Sequence, residues 1–197
     1  MPVRCVSQLK PRCPLKKIGM QHVNIKIFAN TSQNVNIADA IPVFHRWIQK
    51  RDLPELLIDV ADYSHVPEGP GVLLIAHEAN YSLDCARDQV GLLYNRKSAE
   101  SGEAQQQLRQ AYDAALSACK RLEQEPEFQG ALRFDPSKLE IIFNDRLLHP
   151  NTEESWRQVQ PEVHRFFDGI FGVCKYALQH AGEPRERLRV IVHGFTQ

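Results

Sequence analysis

Nowhere does this sequence run for the roughly 20 consecutive apolar residues that a membrane-spanning helix needs. No membrane partner is therefore expected. It also lacks an excess of charge of either sign, because 24 Lys and Arg balance 24 Asp and Glu. A nucleic-acid binder normally carries a basic surplus that neutralises phosphates, so no nucleic-acid partner is expected either. Cysteine is sparse and widely spaced: the five residues are Cys5, Cys13, Cys85, Cys119 and Cys174, with no Cys-x-x-Cys among them. That pattern excludes a disulfide framework and a zinc-finger spacing, and it points to a reducing, cytoplasmic compartment. Catalytic signatures are missing as well. There is no Gly-x-Ser-x-Gly. The "GPG" at 69–71 lacks a following Lys-Ser/Thr and leads into a strand pattern rather than a helix, so the anion-binding helix terminus of a phosphate loop is absent.

What is present is ordinary globular material. Apolar residues make up 43% of the 197-residue chain and charged residues 24%. A chain of this length buries a core without staples. Residues 1–19 are basic and carry Pro2, Pro11 and Pro14; they read as a disordered arm or an over-extended start. Residues 20–197 read as a single domain.

Periodicity supplies the elements. In "HVNIKIFA", Val23, Ile25, Ile27 and Ala29 alternate with His22, Asn24, Lys26 and Phe28, which predicts a half-buried strand. Ile37, Ile41, Phe44 and Ile48 recur at helical spacing, predicting a helix over 37–50 that either starts in earnest near Pro42 or bends there. Strands follow at 56–66, 72–84 and 90–97 without intervening helices, so they predict an antiparallel meander. A helix over 103–124 carries the stripe Ala104, Leu108, Ala111, Ala115, Cys119 and Leu122. "ALRF" and "LEIIFNDRLL" predict a hairpin turning at Asp135-Pro136-Ser137. Thr152, Glu153 and Glu154 open a helix that runs to Gly172 or on to His180, and "RLRVIVHGF" closes as a strand. The order is β-α-β-β-β-α-β-β-α-β. This is an α+β fold, a largely antiparallel sheet of about six to seven strands with three helices packed on it.

One echo, one lone histidine and one set of polar segments are the features that invite a functional reading. "PVFHRW" at 42–47 is repeated as "PEVHRF" at 161–166. The flanking spacings differ between the copies. The simpler reading is two amphipathic helices, each with a basic edge whose arginine stem covers the core. On the meander, His77 projects among apolar residues in the predicted strand 72–84, and Asp59 on the neighbouring strand is placed to orient it. His77, Asp59, Glu78 and Asp62 are also the residue types that bind Zn, Mn or Fe, although strand parity separates them. Finally, "NRK" at 95–97, "NDR" at 144–146 and "HPNT" at 149–152 cluster at one sheet end in this arrangement, where they either bind an anion or close turns.

Two functional expectations follow. The leading one is a binding or structural protein acting through protein–protein contacts, self-association or a small ligand. Its contact surface would be an edge strand or the aromatic helix around Trp156, Phe166, Phe167 and Phe171. The alternative is a small metal-dependent or His/Asp-based hydrolase, with its site on the 56–97 meander and His77 and Asp59 as its catalytic pair. No cofactor is expected for the first; a divalent metal is expected for the second.

Overall fold

The computed structural model describes residues 20, 22–30, 35–98 and 102–195. The N-terminal arm read at 1–19 lies outside the described residues. The chain enters through β1 (Val23–Ala29), whose alternation is the one read above. A short 3₁₀ turn at Ile37–Asp39, capped by the Asn36 side chain, leads into α1 (Ala40–Lys50). Pro42 therefore falls in the first helical turn, where a missing N–H has no consequence. Ala40, Val43, Phe44 and Trp47 are the buried positions of α1, one step round from the Ile37/Ile41/Phe44/Ile48 stripe. The meander is β2 (Leu57–Tyr63), β3 (Gly71–Ala76), β4 (Ala79–Asp84) and β5 (Gly91–Arg96). Then come α2 (Ala104–Leu122), β6 (Phe134–Phe143), α3 (Glu153–Phe171), β7 (Tyr176–Ala181) and β8 (Leu188–Gly194).

The strands form one eight-stranded antiparallel sheet in the order β2-β3-β4-β5-β1-β6-β8-β7. It is the expected α+β arrangement, with three local corrections that together raise the strand count. The run 72–84 is two strands, because His77 and Glu78 form a two-residue turn and Ile75 pairs with Asn80. Neither turn residue takes a positive φ, so the Asn-Gly signature of a type I′ hairpin is absent from the sequence. Conversely, no hairpin forms at Asp135-Pro136-Ser137. β6 runs through these residues, and its ladder with β1 shifts register between Ile27 and Ala29, an irregularity that tolerates a proline without an N–H. Lastly, α3 stops at Phe171, the nearer of its two expected ends, because Gly172 takes φ 92°; where the longer alternative would continue toward His180, the chain forms β7, a strand not expected.

The topology has two arms. β1 and β6 lie side by side at the centre. From each, a helix carries the chain to an edge strand, β2 or β7, and further strands return it to the middle. The "PVFHRW" and "PEVHRF" segments are the corresponding helices α1 and α3. Their histidines do different things: His45 is exposed, while His164 Nδ1 lies 2.9 Å from the Tyr176 hydroxyl. Arg46 bonds Glu125 and Glu127, and Arg165 bonds Glu162.

All three helices pack on one face of the sheet. α1 lies against β2 and β3, α2 against β1, β5 and β6, and α3 against β7 and β8. The core between the layers includes Phe44, Trp47, Tyr81, Tyr94, Phe143 and Phe167, all fully buried. Truncating any of these to alanine is expected to cost about 3–5 kcal/mol where the ring is Phe or Trp. The aromatic helix proposed as a contact surface is mostly committed to this core, since Trp156, Phe166 and Phe167 are buried. No helix among the described residues is long and apolar enough to cross a membrane.

Candidate functional site: a charged groove on the open sheet face

Strand pleating sends alternate side chains to the face that the helices leave uncovered. Cross-strand pairing arranges them in rows. One row reads Leu73, Ser82, Leu93, Lys26, Glu140, Ile191 and Gln179 from β3 to β7. The next reads Ile75, Asn80, Asn95, Asn24, Ile142 and Arg189. An ordinary open face would be polar and solvated. Here, several of the charged and amide side chains are buried: Lys26 is 3% exposed, Asp84 3% and Glu140 1%.

Two ion pairs form the floor. Lys26 Nζ donates to Asp84 Oδ1 at 2.6 Å and to the Gln89 carbonyl at 3.1 Å. To reach Asp84, two strands away, the lysine stem crosses β5 over Gly91. A Cβ there would sit 2.5 Å from Lys26 Cε and 2.9 Å from the Ile27 carbonyl oxygen, so only glycine leaves room for the lysine. The second pair is Arg189 and Glu140, at 2.6 Å. Arg87 approaches the same Glu140 oxygen at 3.7 Å, and Arg189 also reaches Glu186 at 3.2 Å. The Glu186 carboxyl is held below the usual range, first by the Glu183 N–H and then by Arg189. Arg189 Nε is buried and has no hydrogen-bond partner among the described residues.

An amide cluster continues the floor toward one sheet end. Asn144 Nδ2 donates to Asn24 Oδ1 at 2.9 Å and to Asn95 Oδ1 at 3.1 Å. Arg187 donates to Asn144 Oδ1 at 2.6 Å. In the same row, Asn80 Oδ1 is buried without a partner. The "NRK" and "NDR" segments thus meet, as their positions implied. "HPNT" does not join them: Asn151 Oδ1 pairs with His180 Nε2 at 2.6 Å instead.

The floor opens into three connected cavities. The central one, about 790 Å³, is lined by Lys26, Asp84, Glu140 and Arg189 below and by Arg146, Arg185 and Arg187 at the rim. Past Arg87, which lines both, lies a cavity of about 600 Å³ with Phe28, Val90 and Ile191 among its walls. Past Arg146, again shared, a shallower hollow of about 510 Å³ holds His22, Asn95, Arg96 and Lys97. These volumes fall in the range of small-molecule sites. The lip is conformationally strained: Glu68, Arg87 and Asp88 all take φ near +56°, between 55° and 57°, at a cost on the order of 1 kcal/mol or more each. The Glu68 carboxylate holds this lip in place by accepting the Arg87 N–H through both oxygens.

The four residues singled out on the meander lie elsewhere. His77 is not on a strand among apolar neighbours. It is an exposed turn residue, and its Nδ1 lies 2.8 Å from Glu78 Oε1. Glu78 also accepts the Ser98 hydroxyl. That bond first, and His77 second, hold its carboxyl below the usual range. Asp59 is exposed on the edge strand β2 and accepts the N–H of Val60 at 2.8 Å. Asp62, also exposed, accepts from Ser64, and those bonds lower its carboxyl. The structure joins His77 to Glu78 but not to Asp59, and neither His77 nor Asp59 lines any of the three cavities. Among the described residues, no group of three or more His, Cys, Asp or Glu is arranged to hold a metal ion.

Sequence reasoning passed over Lys26, Asp84, Arg87, Glu140, Arg187 and Arg189. The usable signal was a lysine and a glutamate set among the isoleucines of two strongly patterned strands. No protein-family model matches the chain, and no curated protein is similar to it in sequence.

Proposed function

We propose that this chain is a binding protein whose ligand is a small anion seated in the groove across the open sheet face. The observation that carries the reading is the floor made by the buried Lys26–Asp84 pair and the buried Glu140 held by Arg189. Burying an ion costs several kcal/mol, and apolar residues of similar volume serve stability as well or better. Charges kept in such a place, beside a cavity and under a strained lip, support a ligand site over a purely structural role. The anionic preference follows from the rim, where Arg146 and Arg185 make no ion pair among the described residues. The test is an NMR screen of small carboxylates, phosphates and neutral fragments against labelled protein. Amide shifts should concentrate on 24–28, 84–93, 138–142 and 185–191. Shifts confined to the helical face, or none at all, would sink the reading.

A specific observation also favours self-association through the β2 edge. Leu56, Ile58, Tyr63 and Val66 are 68%, 53%, 44% and 40% exposed along it. A two-fold antiparallel pairing centred on Val60 would set Asp62 opposite Ile58 and Asp59 opposite Ala61, so no acid faces an acid. Light scattering of the parent and of Val60→Pro decides this: a parental dimer that the proline abolishes supports it, and a parental monomer rules it out.

A further inference from the structure

Resting on the groove as a ligand site, we propose a narrower identity for its occupant: a phosphate monoester, with the phosphate on Arg146, Arg185 and Arg187 and the organic body lying past Arg87 toward Phe28 and Ile191. The central cavity is lined by six cationic and four acidic side chains, a surplus of two positive charges. Its acids are already engaged. Asp84 and Glu140 hold Lys26 and Arg189, Glu186 holds Arg189, and Glu68 holds the Arg87 backbone. The surplus therefore sits at the rim guanidiniums. A carboxylate would neutralise only one of them. A phosphate monoester carries a charge of about −1.5 to −2 at neutral pH and three acceptor oxygens, which matches the surplus.

Donor geometry points the same way. Arg187 is anchored through one nitrogen to Asn144, which orients its planar fork and leaves its other donors free. Arg146 and Arg185 are exposed and form no ion pair among the described residues, so both can close on an anion bidentately. Beneath them, the half-buried Arg189 offers a buried Nε with no partner among the described residues. The neighbouring cavity has Phe28, Val90 and Ile191 among its walls, beside the charged Asp88, Lys138 and Glu140. Those three apolar side chains give an organic group a surface to lie on. The shared Arg87 marks the junction between the two parts.

The test is a calorimetric titration at fixed ionic strength with inorganic phosphate, phenyl phosphate, benzoate and phenol. The expected order is phenyl phosphate tightest, inorganic phosphate weaker, and benzoate and phenol weaker still or undetectable. Arg146→Ala and Arg185→Ala should each weaken phenyl phosphate by about tenfold or more, while Arg165→Ala, on α3, should not. Because neither rim arginine is buried or paired, circular dichroism of both variants should match the parent. Benzoate binding as tightly as phenyl phosphate would overturn the phosphate assignment while leaving the groove a ligand site. So would phosphate binding that survives loss of both arginines. If the fragment screen also fails to perturb the groove, the broader reading falls with it.

Discussion

Replacing Lys26 with methionine strands the Asp84 carboxylate, which is 3% exposed, with only the Ala86 N–H to hold it. Leaving one buried charge without its partner costs about 3–5 kcal/mol. Against a total stability of about 5–15 kcal/mol, the loss is large. With a urea slope of about 2–3 kcal/mol/M, the unfolding midpoint should fall by about 1–2.5 M. The informative step is the second one. Lys26→Met combined with Asp84→Leu removes both charges and fills the same space, and stability should return to within about 1 kcal/mol of the parent, or exceed it. The four-cornered cycle isolates the coupling. A single substitution that costs almost nothing would mean that the pair is not buried as described. A double variant as unstable as the sum of the two singles would mean that the two charges are not coupled, and the reading of Lys26 and Asp84 as a paired floor would lose its footing.

Other consequences can be checked in parallel. Gly91→Ala places a Cβ against Lys26 Cε and the Ile27 carbonyl; a loss of about 1–3 kcal/mol from overpacking should appear in thermal melts, together with weaker binding in the groove. Burial first, and the Glu55 charge second, push the Tyr81 phenol far up. A raised folded-state value favours the neutral form, so this contribution is present below the unfolded value of about 10 and is lost as pH rises beyond it. Tyr81→Phe should therefore flatten the fall of the melting temperature above that pH, and an unchanged alkaline slope would contradict the assignment. His77→Ala, at an exposed turn, should leave both the melting temperature and groove binding as they are in the parent. A variant that loses binding would return the meander to consideration.

Much of this molecule was legible from periodicity because its helices and central strands are amphipathic. α2 was readable almost to the residue, since its stripe faces the sheet along its full length. The errors arose where backbone geometry decides and side-chain pattern does not. "AHEA" turns without glycine or asparagine, Pro136 rides an irregular strand, and Gly172 ends a helix whose apolar pattern continues. The site was harder to see. Lys26, Glu140 and Arg189 occupy positions that alternate correctly as solvent-facing residues. Their burial comes from contacts across five strands, and single-sequence alternation does not carry that information. His77 drew attention because it interrupted an apolar run, and the interruption was a turn. The clustering of "NRK" with "NDR" was readable, because both follow strands that end on the same side of the sheet.

The most direct measurement is a crystal structure of the full chain grown with phenyl phosphate. The account predicts the phosphate against Arg146, Arg185 and Arg187, with the ring past Arg87 over Phe28, and the Lys26–Asp84 and Glu140–Arg189 pairs intact beneath it. Ligand density on the helical face or along the β2 edge, with the groove holding only solvent, would contradict it.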